Sequence, residues 1–259
     1  MVTMTQRTIE LLTLADVTLL AARLFVSPAK QPDGGPVPDE SARAGFEAGI
    51  ARLGGGRLML ELTAVLDEAH RGPRDVRRAE WNRLFEGAVH CPINETAYVR
   101  RDKGGIIGDI CGFYRAFGFE PDSASGEKAD HLVTELQFVA ILLVMLASAE
   151  AGRRTDEASI TAAALRAFLA DHTGEWIRLF SARLRSCSRP DLYGRAASLL
   201  EAWWSAMAGR FDLRPFERLD DTLGDVADGP DDTPYECDMA DAAPPSFVPL
   251  TGPHTSAAP

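Results

Sequence analysis

Asp130, His131 and the two acids that bracket them, Glu127 and Glu135, are the residues whose types and spacing could do chemistry. An imidazole between carboxylates can hold a cation, exchange a proton, or be fixed rigidly as a helix cap. Helical spacing from Glu127 onward predicts that Glu127, His131 and Glu135 lie on one face, at i, i+4 and i+8. Other catalytic patterns are missing. The chain has no Gly-x-Ser-x-Gly, and its five histidines form neither HxxxH nor HExxH. Gly54-Gly55-Gly56 and Lys103-Gly104-Gly105-Ile106-Ile107-Gly108 lack both the spacing and the strand–turn–helix context of a phosphate loop, and read as turns between helices. No catalytic residue, metal ligand or cofactor site is assigned.

The elements that must position these residues are helical almost throughout. Ile9, Leu12, Val17, Leu20 and Leu24 mark a first helix, stopped near Ser27-Pro28. Phe46, Ile50 and Leu53 mark a second, and Leu58, Leu62, Val65 and Leu66 a third. A fourth opens at Pro73 and carries Trp81, Leu84 and Phe85. Cys91 to Tyr98 reads as an irregular loop. Gly105 to Gly118 repeats apolar residues at helical spacing, including Tyr114 and Phe117. A helix from about Glu127 to Ala149 is apolar nearly all round in its second half, as a central buried helix is. Phe168, His172, Trp176 and Phe180 recur every four residues and read as a packed seam, and Pro190 to Arg210, with Leu192, Leu199, Trp203 and Met207, closes the folded part. No alternating strand pattern of useful length occurs. The expected fold is all-α: one helical domain of about ten helices over residues 1–218, with an exposed hinge at 120–126, followed by a disordered acidic tail over 219–259.

Composition narrows the partners. The formal charge is −11, and nine acids without a single Lys or Arg lie between Leu219 and Pro259, which leaves −2 for the rest. A nearly neutral body has no basic face for nucleic acid and is compatible with a basic peptide. Cys91, Cys111, Cys187 and Cys237 are scattered without CxxC and read as free thiols in a reducing compartment. The apolar run Phe138–Ala147 is shorter than the roughly 20 residues of a membrane helix, and no cleavable leader pattern opens the chain. The expectation is a soluble cytoplasmic protein without a membrane span.

Five segments, in order, resemble the TorD/DmsD/NarJ family of molybdoenzyme chaperones. Trp81-Asn-Arg-Leu84-Phe85 is similar to its aromatic-x-x-Leu-Phe element. Pro92-Ile-Asn-Glu95-Thr-Ala-Tyr98 resembles Pro-x-x-Glu-x-x-Tyr, and Tyr114-Arg-Ala-Phe117-Gly118 resembles Tyr-x-x-Phe-Gly. Asp130-His131 matches the end of Glu-x-Pro-x-Asp-His, although Lys128 stands where the family has Pro and Glu127 is one position too close. The Phe168–Phe180 seam matches a late helix of the family. Wording around Asn94–Lys103 and Gly108–Tyr114 most resembles the subgroup that serves type II DMSO-reductase-like enzymes.

The resemblance implies a non-enzymatic assembly chaperone. It would bind the apo catalytic subunit of a DMSO-reductase-family molybdoenzyme, with its twin-arginine leader, until the molybdenum cofactor is inserted. Trp81, Leu84, Phe85, Tyr98, Tyr114 and Phe117 would wall a peptide groove, and Glu95 and Asp130 would supply charge. His131 would orient Asp130 and make affinity sensitive to pH near neutrality. A monomer, or a dimer swapped through the 120–126 hinge, is expected. Two alternatives stand beside this: a helical hydrolase or nucleotide-using enzyme built on Asp130 and His131, and a general helical adaptor.

Overall fold

In the computed structural model the described residues are 5–31, 40–54, 56–71, 73–86, 89–120, 128–189 and 191–213. They belong to the unit Met1–Val226. Of the described residues 79% are helical and none is in a strand, as the all-α reading expects. The helices are α1 (Gln6–Leu24), α2 (Glu40–Arg52), α3 (Gly56–Arg71), α4 (Arg74–Phe85), α5 (Lys103–Ala116), α6 (Leu132–Ala151), α7 (Thr155–Phe168), α8 (Gly174–Cys187) and α9 (Leu192–Phe211). Residues 121–126 of the expected hinge, Glu127, and the acidic segment 219–259 lie outside the described residues.

Two helices with only a narrow exposed stripe form the centre. α1 begins where the Thr5 hydroxyl accepts the Thr8 N–H, and it buries Leu11, Leu14, Val17, Leu20 and Leu24 around its circumference. It packs along α6, which buries Leu132, Leu136, Val139, Leu143 and Leu146. Because each is apolar on several sides, each needs neighbours on several sides. α2 and α9 cover α1, α3 packs on α9, α7 packs on α6, and α8 on α9. Trp203 of α9 donates its indole N–H to the Thr18 hydroxyl at 2.8 Å, so the fully buried hydroxyl of α1 is satisfied across the core.

α6 departs from the sequence reading in two respects. It starts at Leu132 instead of about Glu127, because His131 is extended (φ −78°, ψ 138°) and pairs antiparallel with Asn94. The Glu95 N–H donates to the Asp130 carbonyl at 2.9 Å and the Leu132 N–H to the Ile93 carbonyl at 3.0 Å, and this pairing holds residues 130–132 out of helical geometry. His131 is therefore the N-cap, and it does not share a helical face with Glu135. α6 is also long and apolar enough to cross a membrane by length and composition, where the sequence reading counts its apolar run as too short. Two thirds of that stretch is packed inside the protein.

α7 and α8 form one continuous rod joined by a π turn, Leu169–Thr173. This accounts for the four-residue seam. Steps of four drift around an α-helix of 3.6 residues per turn, and the wider π turn takes part of that drift back. Phe168, His172, Trp176 and Phe180 all face inward as a result. Gly174 follows the π turn, and a Cβ there would overlap the Leu169 carbonyl and the Trp204 indole.

Candidate functional site

The backbone pairing of residues 93–95 with 130–132 brings together the segments that carry the chemistry. Asp130 is fully buried. Its Oδ1 accepts from the Asn94 amide at 3.0 Å, and its Oδ2 accepts from the Thr96 hydroxyl at 2.7 Å and the Thr96 N–H at 3.3 Å. Asp130 thus clamps the 3-10 turn Glu95–Ala97 against the start of α6. Tyr114 of α5 donates its hydroxyl to the Ala129 carbonyl at 2.8 Å, fixing the same corner from the other side. The sequence reading has the Asp130 carboxylate supply charge to a peptide groove. The carboxylate lies inside because the polar groups that satisfy it come from the loop folded over it.

The His131 side chain caps α6. Its Nδ1 accepts the Val133 N–H at 3.2 Å. Burial pushes the imidazole down to about 4, against a smaller upward pull from Asp130, and Lys30 adds to the lowering. An acceptor nitrogen at a helix N-terminus is also suited to the neutral ring. His131 is thus neutral near pH 7, which corrects the expectation that it confers pH sensitivity there.

Beneath the clamp lies a second polar layer. Glu95, Glu135 and His172 are all fully buried. Nδ1 of His172 lies 3.2 and 3.3 Å from the two Glu95 oxygens. Glu135 Oε2 accepts from the Thr173 hydroxyl at 2.9 Å and from the Trp176 indole N–H at 3.1 Å. Burial holds the Glu135 carboxyl well above the usual carboxylate range, and the neighbouring Glu95 raises it further. Two buried polar atoms in this layer make no hydrogen bond, Glu135 Oε1 and His172 Nε2. Toward solvent, Arg101 contacts Glu95, Glu175 and the Asp171 carbonyl.

The aromatic candidates pack around this layer. Tyr98 stacks on Trp176 with centroids 5.5 Å apart and donates its hydroxyl to the Pro92 carbonyl at 2.7 Å. Tyr114 meets Phe138 at 4.7 Å, and Phe117 meets Phe138 at 6.0 Å. Trp81, Leu84 and Phe85 are buried on α4, where Phe85 contacts Phe25, Phe180 and Tyr193. Of the nine candidates, Phe117 and His131 are half-buried and the other seven are buried. Glu95, Tyr98, Tyr114, Asp130 and His131 are brought together around the pairing, Phe117 lies beside them on Phe138, and Trp81, Leu84 and Phe85 join a neighbouring aromatic cluster.

Sequence reasoning gives no functional role to His172, Arg101 or Glu175, and it groups Glu135 with His131 on one helical face. A signal exists for two of them: Glu135 is an acid inside the most apolar helix, and His172 is the polar member of an aromatic seam. Nothing in the linear sequence joins Arg101 to Glu175. The three described cysteines are free, and burial pushes the Cys91 thiol up to about 12, which makes it a poor nucleophile. No group of three or more His, Cys, Asp or Glu is placed to hold a metal among the described residues.

A model of the nitrate reductase delta subunit family matches residues 54–182, the stretch that contains every member of the buried polar layers. Over that stretch the chain belongs to the nitrate reductase delta subunit family. The family is one of molybdoenzyme maturation chaperones, so the two layers belong to a chaperone scaffold. No curated protein and no solved structure matches the chain.

Proposed function

We propose that this protein is a cytoplasmic assembly chaperone for the catalytic subunit of a DMSO-reductase-family molybdoenzyme, which it binds together with the twin-arginine leader and holds for cofactor insertion before export. Membership of the nitrate reductase delta subunit family over residues 54–182 carries the reading. The geometry agrees with a binding role more readily than with catalysis. Asp130 and His131 hydrogen-bond to different structural partners, and Cys91 is a buried thiol. A helical hydrolase would need a nucleophile within reach of a free base.

Within this reading the nine candidate residues divide by accessibility. Phe117 and His131 reach the surface and contact a bound peptide. Glu95, Tyr98, Tyr114 and Asp130 shape the site from beneath by fixing the loop and the start of α6. Trp81, Leu84 and Phe85 hold α4 against the aromatic cluster that supports it. A near-neutral body with acids gathered at one corner suits a leader that combines arginines with an apolar segment.

Co-purification tests this. Tagged full-length chain is recovered from cells that express candidate molybdoenzyme catalytic subunits with and without their leaders. The apo subunit should come down with the chain, and leader removal should weaken the capture. Recovery of the chain without any such subunit would contradict the proposal.

A further inference from the structure

Arg101 occupies an acidic corner in an incomplete way. Its side chain is 47% exposed, and it reaches three oxygens with a single nitrogen, Nη2: the Asp171 carbonyl at 2.9 Å, Glu175 Oε2 at 3.0 Å and Glu95 Oε1 at 3.6 Å. A guanidinium offers five N–H donors in a planar fork, and carboxylates bind it best through two parallel bonds. Glu95 itself is fully buried, so the acid at the floor of this corner is built into the core and is not a solvated surface charge. The buried acid has a second partner, on its other side. His172, also fully buried and held by Glu95, has an Nε2 that makes no hydrogen bond and lies 3.4 Å from Oδ2 of the largely exposed Asp109. One arginine thus meets two carboxylates, Glu95 and Glu175, and the backbone carbonyl of Asp171.

We propose that Glu95, Glu175 and the Asp171 carbonyl form a guanidinium site that Arg101 fills in the free protein and that an arginine of a client peptide takes over. The proposal rests on the chaperone reading and names the place where that reading's leader arginine binds, moving it from Asp130 to the corner that Asp130 organises. Displacement is cheap on the side of Arg101. A half-exposed ion pair contributes little, and release returns side-chain freedom to a residue in a loop. The incoming arginine gains what Arg101 lacks, an approach free of its own short tether, so that both carboxylates can be engaged through the fork. Lysine, a point charge, gains less from such a site.

The test uses the full chain as wild type, Arg101→Ala and the double variant Arg101→Ala/Glu175→Gln. The probes are a fluorescent synthetic peptide with two adjacent arginines and its counterpart with two lysines. Binding is read by anisotropy and folding by thermal melt. Arg101→Ala should bind the arginine peptide about tenfold more tightly than wild type, because the competing side chain is gone. The lysine peptide should gain less, and Glu175→Gln should cancel the gain. An unchanged or weaker affinity in folded Arg101→Ala would overturn the proposal and make Arg101 a structural latch. Should that variant fail to fold, Arg101→Lys, which keeps a positive charge and loses the fork, should show a smaller gain, and no gain overturns the site equally. The two readings fail separately. A catalytic subunit captured by wild type with no gain in Arg101→Ala overturns the guanidinium site alone. A gain for the arginine peptide with no subunit ever captured supports the site and counts against the chaperone role.

Discussion

The indole N–H of Trp176 donates to Oε2 of Glu135 at 3.1 Å, joining α8 to α6 through an acid with no access to solvent. Glu135 keeps its proton in the folded protein to higher pH than in the unfolded chain, because burial and the nearby Glu95 disfavour its charge. The unfolded chain then releases a proton near pH 4.5 that the folded one retains. Stability contributed by this group is complete below pH 4.5 and falls as pH rises toward the folded value. Glu135→Gln mimics the protonated acid. It should raise stability at pH 8 by about 1 kcal/mol or more, because each pH step over which only the unfolded chain has lost the proton costs about 1.4 kcal/mol. The advantage should vanish at about pH 4. Denaturant melts of both proteins at the two values check this, and an equal difference at both would contradict it.

His131 is perturbed in the opposite sense, from 6.5 to about 4. Its contribution to stability is fully present above pH 6.5 and is lost as pH falls through the window to about 4, because only the unfolded chain gains the proton there. His131→Asn keeps an N-cap acceptor and cannot titrate. On going from about pH 7 to about pH 5, wild type should lose about 2 kcal/mol more than the variant, since the unfolded chain alone takes up the proton over most of that interval. Parallel losses in the two proteins would show that other groups carry the acid sensitivity.

Asp130 is a clamp more than a contact. Its removal in Asp130→Ala leaves the Asn94 amide and the Thr96 donors without their acceptor, at a cost of about 3 kcal/mol. Peptide affinity of the molecules that remain folded should fall by less than about tenfold, or about 1.4 kcal/mol, since the carboxylate does not reach solvent. Thermal midpoint and peptide affinity measured on the same preparation separate the roles. Unchanged stability with a large loss of affinity would put Asp130 in direct contact with the peptide.

The helical architecture is legible because periodicity reports burial, and burial makes these helices. α3, α4 and α9 show it directly through Leu62, Leu84 and Trp203. The start of α6 is not, because the pairing of Asn94 with His131 joins distant parts of the chain, and helical spacing read from Glu127 takes no account of it. The site is half legible. Glu95, Tyr98, Tyr114, Asp130 and His131 are polar or aromatic residues at motif spacing, and the structure gathers them. His172 reads only as packing, since a polar residue on an aromatic seam does not announce its partner. Arg101 and Glu175 meet through tertiary packing alone, 74 positions apart.

Cofactor loading of the client tests the central claim most directly. The catalytic subunit is produced in otherwise identical cells with this chain, without it, and with it restored from a second source. Molybdenum and cofactor content per subunit are then measured on the purified protein before export. The account predicts a subunit largely empty of cofactor without the chain and filled again on restoration. Equal loading in all three preparations would contradict a role in maturation.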